Sequence, residues 1–156
     1  MAVYRRRTWV DASLPDVWAF HSTIDSLPSL TPDFLNVRIE SVTAPDGEPD
    51  PGVMEAGSTA RLSMRPFGIG PRQYWTTVIT EREAGDETAY FRDVMEEGPF
   101  PTWTHTHRFE TEEGGTRVTD EVEYELPLLG PLSALGWPGF EAMFAYRHRR
   151  TKARLE

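Results

Sequence analysis

Residues 102–126 read TWTHTHRFETEEGGTRVTDEVEYEL, and the alternation within them decides the fold. In the second half, Val118, Asp120, Val122, Tyr124 and Leu126 alternate with Arg117, Thr119, Glu121, Glu123 and Glu125. Successive side chains of a strand point to opposite faces, so the first set is the buried one. In the first half, Trp103, His105, His107 and Phe109 alternate with Thr102, Thr104, Thr106, Arg108 and Glu110, and again the first set faces inward. Gly114-Gly115 between the halves predicts a hairpin turn. Two neighbouring strands therefore aim two histidines and one aspartate at the same interior.

The same reading extends outward. A first strand is expected over 4–10, followed by a helix with Ser13 as N-cap, Pro15 in its first turn and Asp16 where the dipole favours an anion. Val17, Trp18, Phe20 and His21 continue that helix, while Pro28 and Pro32 allow only a second short piece. Strands are expected over 37–42, 58–64, 72–81 and 88–95, with Phe67-Gly-Ile-Gly70-Pro71 as a turn. In the last of them Phe91, Asp93 and Met95 form the inner set, since the alternative buries Arg92. Beyond Leu126, Phe140, Met143, Phe144 and Arg147 recur at helical spacing, with a break expected at Gly136–Gly139. A mostly antiparallel meander with one buried face, followed by one apolar-striped helix, gives an α+β domain over residues 1–156 whose seven-stranded sheet wraps that helix.

Composition narrows the function. The chain has 156 residues, 16 Lys+Arg against 25 Asp+Glu, and a net charge of −9. Phosphate neutralisation needs the opposite sign, so no nucleic-acid partner is expected. With no cysteine a cytoplasmic location is expected, and no stretch approaches the roughly 20 apolar residues of a membrane span. The segment at Arg147, His148, Arg149, Arg150, Lys152 and Arg154 is expected to be a solvated basic face at a helix C-terminus. His21 and His148 are expected to be surface or packing residues. A monomer or a homodimer fits this size.

Polar groups facing an apolar interior must pair with one another or with a ligand. His105, His107 and Asp120, joined by Asp93 and Tyr124, are the expected network, and they are the candidate catalytic residues because a carboxylate raises the basicity of a histidine and fixes its tautomer. The alternative is a purely structural network. His105-x-His107 with Asp120 could also offer metal ligands, but with no HExxH and no further histidine in a predictable position, no metal or other cofactor is expected.

The block Phe91-Arg-Asp93-Val-Met-Glu-Glu-Gly98-Pro99-Phe100, then Trp103-Thr-His105-Thr-His107-Arg-Phe109, resembles the START-like or SRPBCC superfamily, nearest its ligand-binding and polyketide cyclase/dehydrase-like branches. Residues 114–127, Gly130-Pro131-Leu132, Phe144-x-x-Arg147 and Pro15-Asp16-Val17-Trp18-Ala19-Phe20 extend the resemblance along the chain. It implies a helix-grip fold with a cavity between sheet and C-terminal helix for a small hydrophobic partner. The expected ligand-binding set is Trp18, Phe91, Asp93, Trp103, His105, His107, Phe109, Val118, Val122, Tyr124, Phe140, Met143, Phe144 and Arg147. Three functions remain open: a carrier or sensor of a lipid-, polyketide- or aromatic-like molecule, a cyclase/dehydratase-type enzyme using a His–Asp pair, and a protein-interaction module.

Overall fold

The computed structural model describes residues 2–49, 51–126 and 137–156. Strand β1 (Ala2–Val10) leads into helices α1 (Leu14–His21) and α2 (Ser26–Ser29), then into β2 (Arg38–Thr43), β3 (Thr59–Met64), β4 (Gln73–Ala84), β5 (Thr88–Glu97), β6 (Thr102–Glu112), β7 (Gly115–Glu125) and α3 (Trp137–Leu155). The seven strands form one antiparallel sheet in the order β1-β7-β6-β5-β4-β3-β2. The chain's first two strands are thus the two edges, and α1 and α2 cover the span between them. This is the helix-grip arrangement expected from the alternation.

Local chemistry explains the elements. Ser13 Oγ accepts from the Asp16 amide at the start of α1. The β6–β7 hairpin turns on Glu113 (φ 48°) and Gly114 (φ 80°), two positive-φ residues as a tight right-twisting hairpin requires. Gly115 is obligatory for another reason: a Cβ there would lie 2.4 Å from the carbonyl oxygen of Val10. In β4, Ile79 pairs with Asp93 and Glu81 with Arg92, so Thr80 is an extra residue. That bulge shifts the strand's phase, and Arg82 rather than Glu81 turns to the concave side. Pro138 and Gly139 occupy the first turn of α3, where a missing amide hydrogen is no defect. Residues 137–139 of the expected break are thus helical, and Gly136 lies outside the described residues.

Three apolar clusters fill the concave face. Val10, Leu14, Val17, Phe109 and Val118 pack beneath α1. Tyr4, Val122, Tyr124, Phe140 and Phe144 join the sheet to α3. Val42, Met54, Ala60, Leu62 and Ile79 line the far end. Phe144 is fully buried, stacked on Tyr4 at 5.3 Å between ring centroids and meeting the His105 ring edge-on at 5.3 Å. Phe144→Ala should therefore destabilise the protein by about 3–5 kcal/mol, read as a shift of the urea unfolding midpoint.

Candidate functional site

His105 and His107 stand two residues apart on the concave face of β6, and their rings stack with centroids 3.6 Å apart. Strand register sets Asp120 of β7 beside His107, and Asp93 of β5 beside His105. The contacts then cross. His105 Nε2 lies 2.7 Å from Asp120 Oδ1, and His107 Nε2 lies 2.8 Å from Asp93 Oδ2. His107 Nδ1 is 3.3 Å from Asp120 Oδ1. From α3, His148 Nε2 reaches Asp120 Oδ2 at 2.6 Å, and Thr77 Oγ1 donates to Asp93 Oδ1 at 3.1 Å. One carboxylate thus holds three imidazoles, drawn from a strand and the gripped helix.

These contacts set the protons. Both ring nitrogens of His107 face carboxylate oxygens, so the ring is an imidazolium donating twice. Burial opposes that charge, but hydrogen bonds to Asp120 and Asp93 outweigh it and raise the His107 pKa. Burial would also raise both aspartates. Hydrogen bonds from His105, His107 and His148 instead hold Asp120 well below the usual carboxylate range, and His107 with Thr77 lowers Asp93. His105 is the converse case: burial and then the charge of His107 lower its pKa, and the ring is neutral. It donates from Nε2 to Asp120, which leaves the Nδ1 lone pair available as a base. The face of Phe91 stacks on the His107 ring at 4.0 Å and supports its charge.

Beside this cluster lies a cavity of about 380 Å³. Its apolar wall includes Leu30, Leu62, Trp75, Ile79, Met95 and Met143, and its polar side carries His105, His107, Asp93, Thr77, Arg82 and Arg147. The Arg147 guanidinium sits over the Phe144 ring at 5.5 Å and, among the described residues, makes no ion pair. It is the second cation close to the two aspartates. Both aspartates act on the Arg147 charge, favouring it against the cost of burial. Arg82 stacks on Trp18 at 4.3 Å and donates to Ser22 Oγ at 3.2 Å. Asp93, His105 and His107 also bring three potential metal-ligand atoms within 4.8 Å of one another. In the structure these groups are engaged in hydrogen bonds and ion pairs, His107 with Asp93 and Asp120, and His105 with Asp120.

Of the residues singled out by sequence, Phe91, Asp93, Trp103, His105, His107, Phe140, Met143 and Arg147 lie on the cavity wall. Trp18, Phe109, Val118, Val122, Tyr124 and Phe144 also face inward but pack in the clusters below α1 and α3. Asp120 stands behind the histidines rather than on the wall. Tyr124 is not in the network; its ring packs on Phe140 at 4.4 Å. The basic segment needs a larger correction. His148 is buried on Asp120, Arg147 faces the cavity, Arg150 donates to the Ser29 carbonyl and Lys152 to the Trp9 carbonyl. These four turn toward neighbouring elements, whereas Arg149 and Arg154 are exposed, so only part of the segment is the solvated face expected. His148 has a signal in the sequence: Phe140, Phe144 and His148 recur every four residues along one helix face. His21 packs its ring on Phe109 at 4.9 Å, as a packing residue should.

An open antiparallel sheet gripping one long helix over an apolar cavity is the architecture of the START superfamily. A START superfamily protein of Mycobacterium smegmatis superposes with a TM-score of 0.64 at 14% identity, over 98% of this chain and 96% of that one. A Chromobacterium violaceum protein gives 0.70 at 14% identity over 99% and 96%, and a Thermus thermophilus protein 0.59 at 23% over 98% and 99%. At these identities the likeness is one of fold. The chain belongs to the family described as polyketide cyclase/dehydrase and lipid transport, whose model matches residues 10–145. A comparison with curated proteins finds no match. No helix among the described residues is long and apolar enough to cross a membrane.

Two outcomes follow for the network. Asp120→Asn removes the charge that three imidazoles share, so it should cost about 3–5 kcal/mol of stability and lower the His107 pKa, read by denaturant unfolding and by NMR titration. Stability should also peak near neutrality. Below the ordinary histidine pKa of 6.5, the unfolded chain binds protons that folded His105 and His21 refuse, and His21 is held down to about 4 chiefly by burial. On the other side, His107 binds its proton more tightly when folded. Its contribution is full below 6.5 and lost as the pH rises through its raised pKa. Thermal unfolding across this range should show a maximum, and His21→Gln should flatten its acid limb.

Proposed function

We propose that the protein binds a small, mainly apolar molecule in the cavity between sheet and α3, with a polar group of that molecule turned toward His105 and Arg147. The observation that carries this reading is the cavity's composition. Its volume lies within the roughly 300–1,000 Å³ of small-molecule sites, and it joins an apolar wall to a few convergent polar groups. The family's description, which includes lipid transport, supports the same reading. Phe91, Trp103, Phe140 and Met143 would contact the apolar body of a lipid-, polyketide- or aromatic-like ligand.

A second reading is favoured by one specific observation: a neutral His105 is backed by an ionised Asp120 beside open volume. That pairing suits a general base removing a proton α to a carbonyl, with Arg147 stabilising the enolate oxygen. Asp120 would act as the positioning residue, and His107, whose two nitrogens are engaged, would fix the charge around it. The open cavity favours both readings over a protein-interaction module.

The binding reading is tested with N-phenyl-1-naphthylamine, whose fluorescence should rise on binding at one site per chain. Met143→Trp, which fills the cavity, should weaken that binding about tenfold at unchanged melting temperature; equal binding would place the probe elsewhere. Native mass spectrometry of freshly purified protein should in parallel show a bound mass of a few hundred daltons. For the enzymatic reading, NMR would follow deuterium exchange α to the carbonyl of 2-tetralone. Wild type should accelerate it, and His105→Asn should slow it by about a hundredfold or more. Equal exchange by the two proteins would leave the cavity a binding site only.

A further inference from the structure

The β3–β4 connection departs from the rest of the surface. Phe67 is 71% exposed and Ile69 77%, and Phe34 from the turn before β2 is 49% exposed. Phe34 and Phe67 stack on one another at 4.9 Å. Phe67 has φ 57° and ψ 13°, a left-handed conformation that a bulky residue seldom adopts. The display is built rather than loose. Two short 3-10 turns, Asp33–Leu35 and Pro66–Gly68, are tied together by the Arg65 amide on the Leu35 carbonyl at 2.9 Å and by Asn36 Nδ2 on the Arg65 carbonyl at 3.0 Å. Arg65 Nε donates to the Gly70 carbonyl, and Arg72 Nη1 to the Asn36 carbonyl and Ser63 Oγ. Backbone strain and five hydrogen bonds thus hold apolar side chains out in water.

Charge around this lip is also unlike the rest of the chain. Residues 56–80 contain Arg61, Arg65 and Arg72 and no Asp or Glu, in a protein of net charge −9. Arg38 adds a cation opposite Ser63. Asp33 and Glu40 are the acids of the adjoining turn and strand, and Glu40 accepts from Ser63 Oγ. Leu35, next to Phe34 in sequence, and Val37 and Met64, each three residues from Phe34 or Phe67, line the cavity.

We propose that this lip docks the protein on an anionic lipid surface. Phe67, Ile69 and Phe34 would enter the headgroup boundary, with Arg38, Arg65 and Arg72 against the anionic headgroups. Exposed apolar tips rimmed by arginine match that interface, where apolar side chains and cationic heads are both accommodated. Each basic side chain near such a surface contributes about a fivefold gain in partition. The position has a physical use as well, one that rests on the cavity reading: an apolar ligand concentrates in bilayers, and the lip borders the end of the cavity that would receive it.

The test is flotation of the whole protein with vesicles of phosphatidylcholine alone or with about 30% phosphatidylglycerol. Binding is expected on the anionic vesicles, weakened by added salt, and reduced more than about tenfold in the Phe67→Asn, Ile69→Ser double variant. Asn tolerates the left-handed conformation, so that variant should keep its melting temperature and its affinity for N-phenyl-1-naphthylamine. Absence of binding to either vesicle, or equal binding by wild type and variant, would overturn the proposal. So would light scattering that shows a wild-type dimer made monomeric by the same substitutions, since the lip would then face a second copy. Vesicle partition and probe affinity are read separately, so failure of the lip and failure of the cavity are distinguishable.

Discussion

A carboxylate buried under a helix must find its donors within the fold, because water cannot reach it. Asp120 meets that constraint by accepting from His105, His107 and His148, two from β6 and one from α3. The arrangement does more than satisfy one side chain. It fixes the rotation of α3 about its own axis, since His148 must stand over Asp120, and that sets which helical residues face the cavity. Phe140, Met143, Phe144 and Arg147 take their places from the same constraint.

The network also separates two histidines that the strand makes nearly equivalent. They lie on one face with rings stacked, yet His107 is clamped at both nitrogens and His105 at one. The difference comes from Asp93, which reaches His107 and leaves Nδ1 of His105 without a carboxylate. Burial and the charge of His107 depress the His105 pKa, while Asp120 and Asp93 raise that of His107. Neighbouring groups with opposed protonation states are what acid–base chemistry requires, and they are also a stable way to bury two aspartates.

Much of this was legible in the sequence, where period and turn chemistry carried the information. Alternation in 102–126 assigned His105, His107 and Asp120 to one face, and the cost of burying Arg92 assigned Asp93 to it as well. Alternation distinguishes inside from outside, but it does not say which part of the inside lies beneath a helix. Trp18, Phe109, Val118, Val122, Tyr124 and Phe144 are therefore core residues, although they point the same way as the cavity wall. Arg82 escaped because the bulge at Thr80 reverses the phase of β4, and nothing in Thr80 itself announces an extra residue. His148 escaped because its neighbours Arg147, Arg149 and Arg150 suggest solvent, while its fourfold spacing from Phe140 and Phe144 is the stronger physical signal.

The order β1-β7-β6-β5-β4-β3-β2 leaves the first two strands of the chain unpaired with one another. A closed barrel has a bore set by its strand number and shear, and it can widen only by breaking a ladder of hydrogen bonds. This sheet is a trough with a seam, bridged by residues 11–37 without interstrand bonds to β1 or β2 across it. Lengthening or shortening that bridge alters the volume at the seam while Asp120, on β7, keeps its three imidazoles. Capacity and chemistry are therefore independent variables in this architecture: descendants of one fold can come to hold molecules of different size over an unchanged polar floor, or exchange that floor while keeping the vessel.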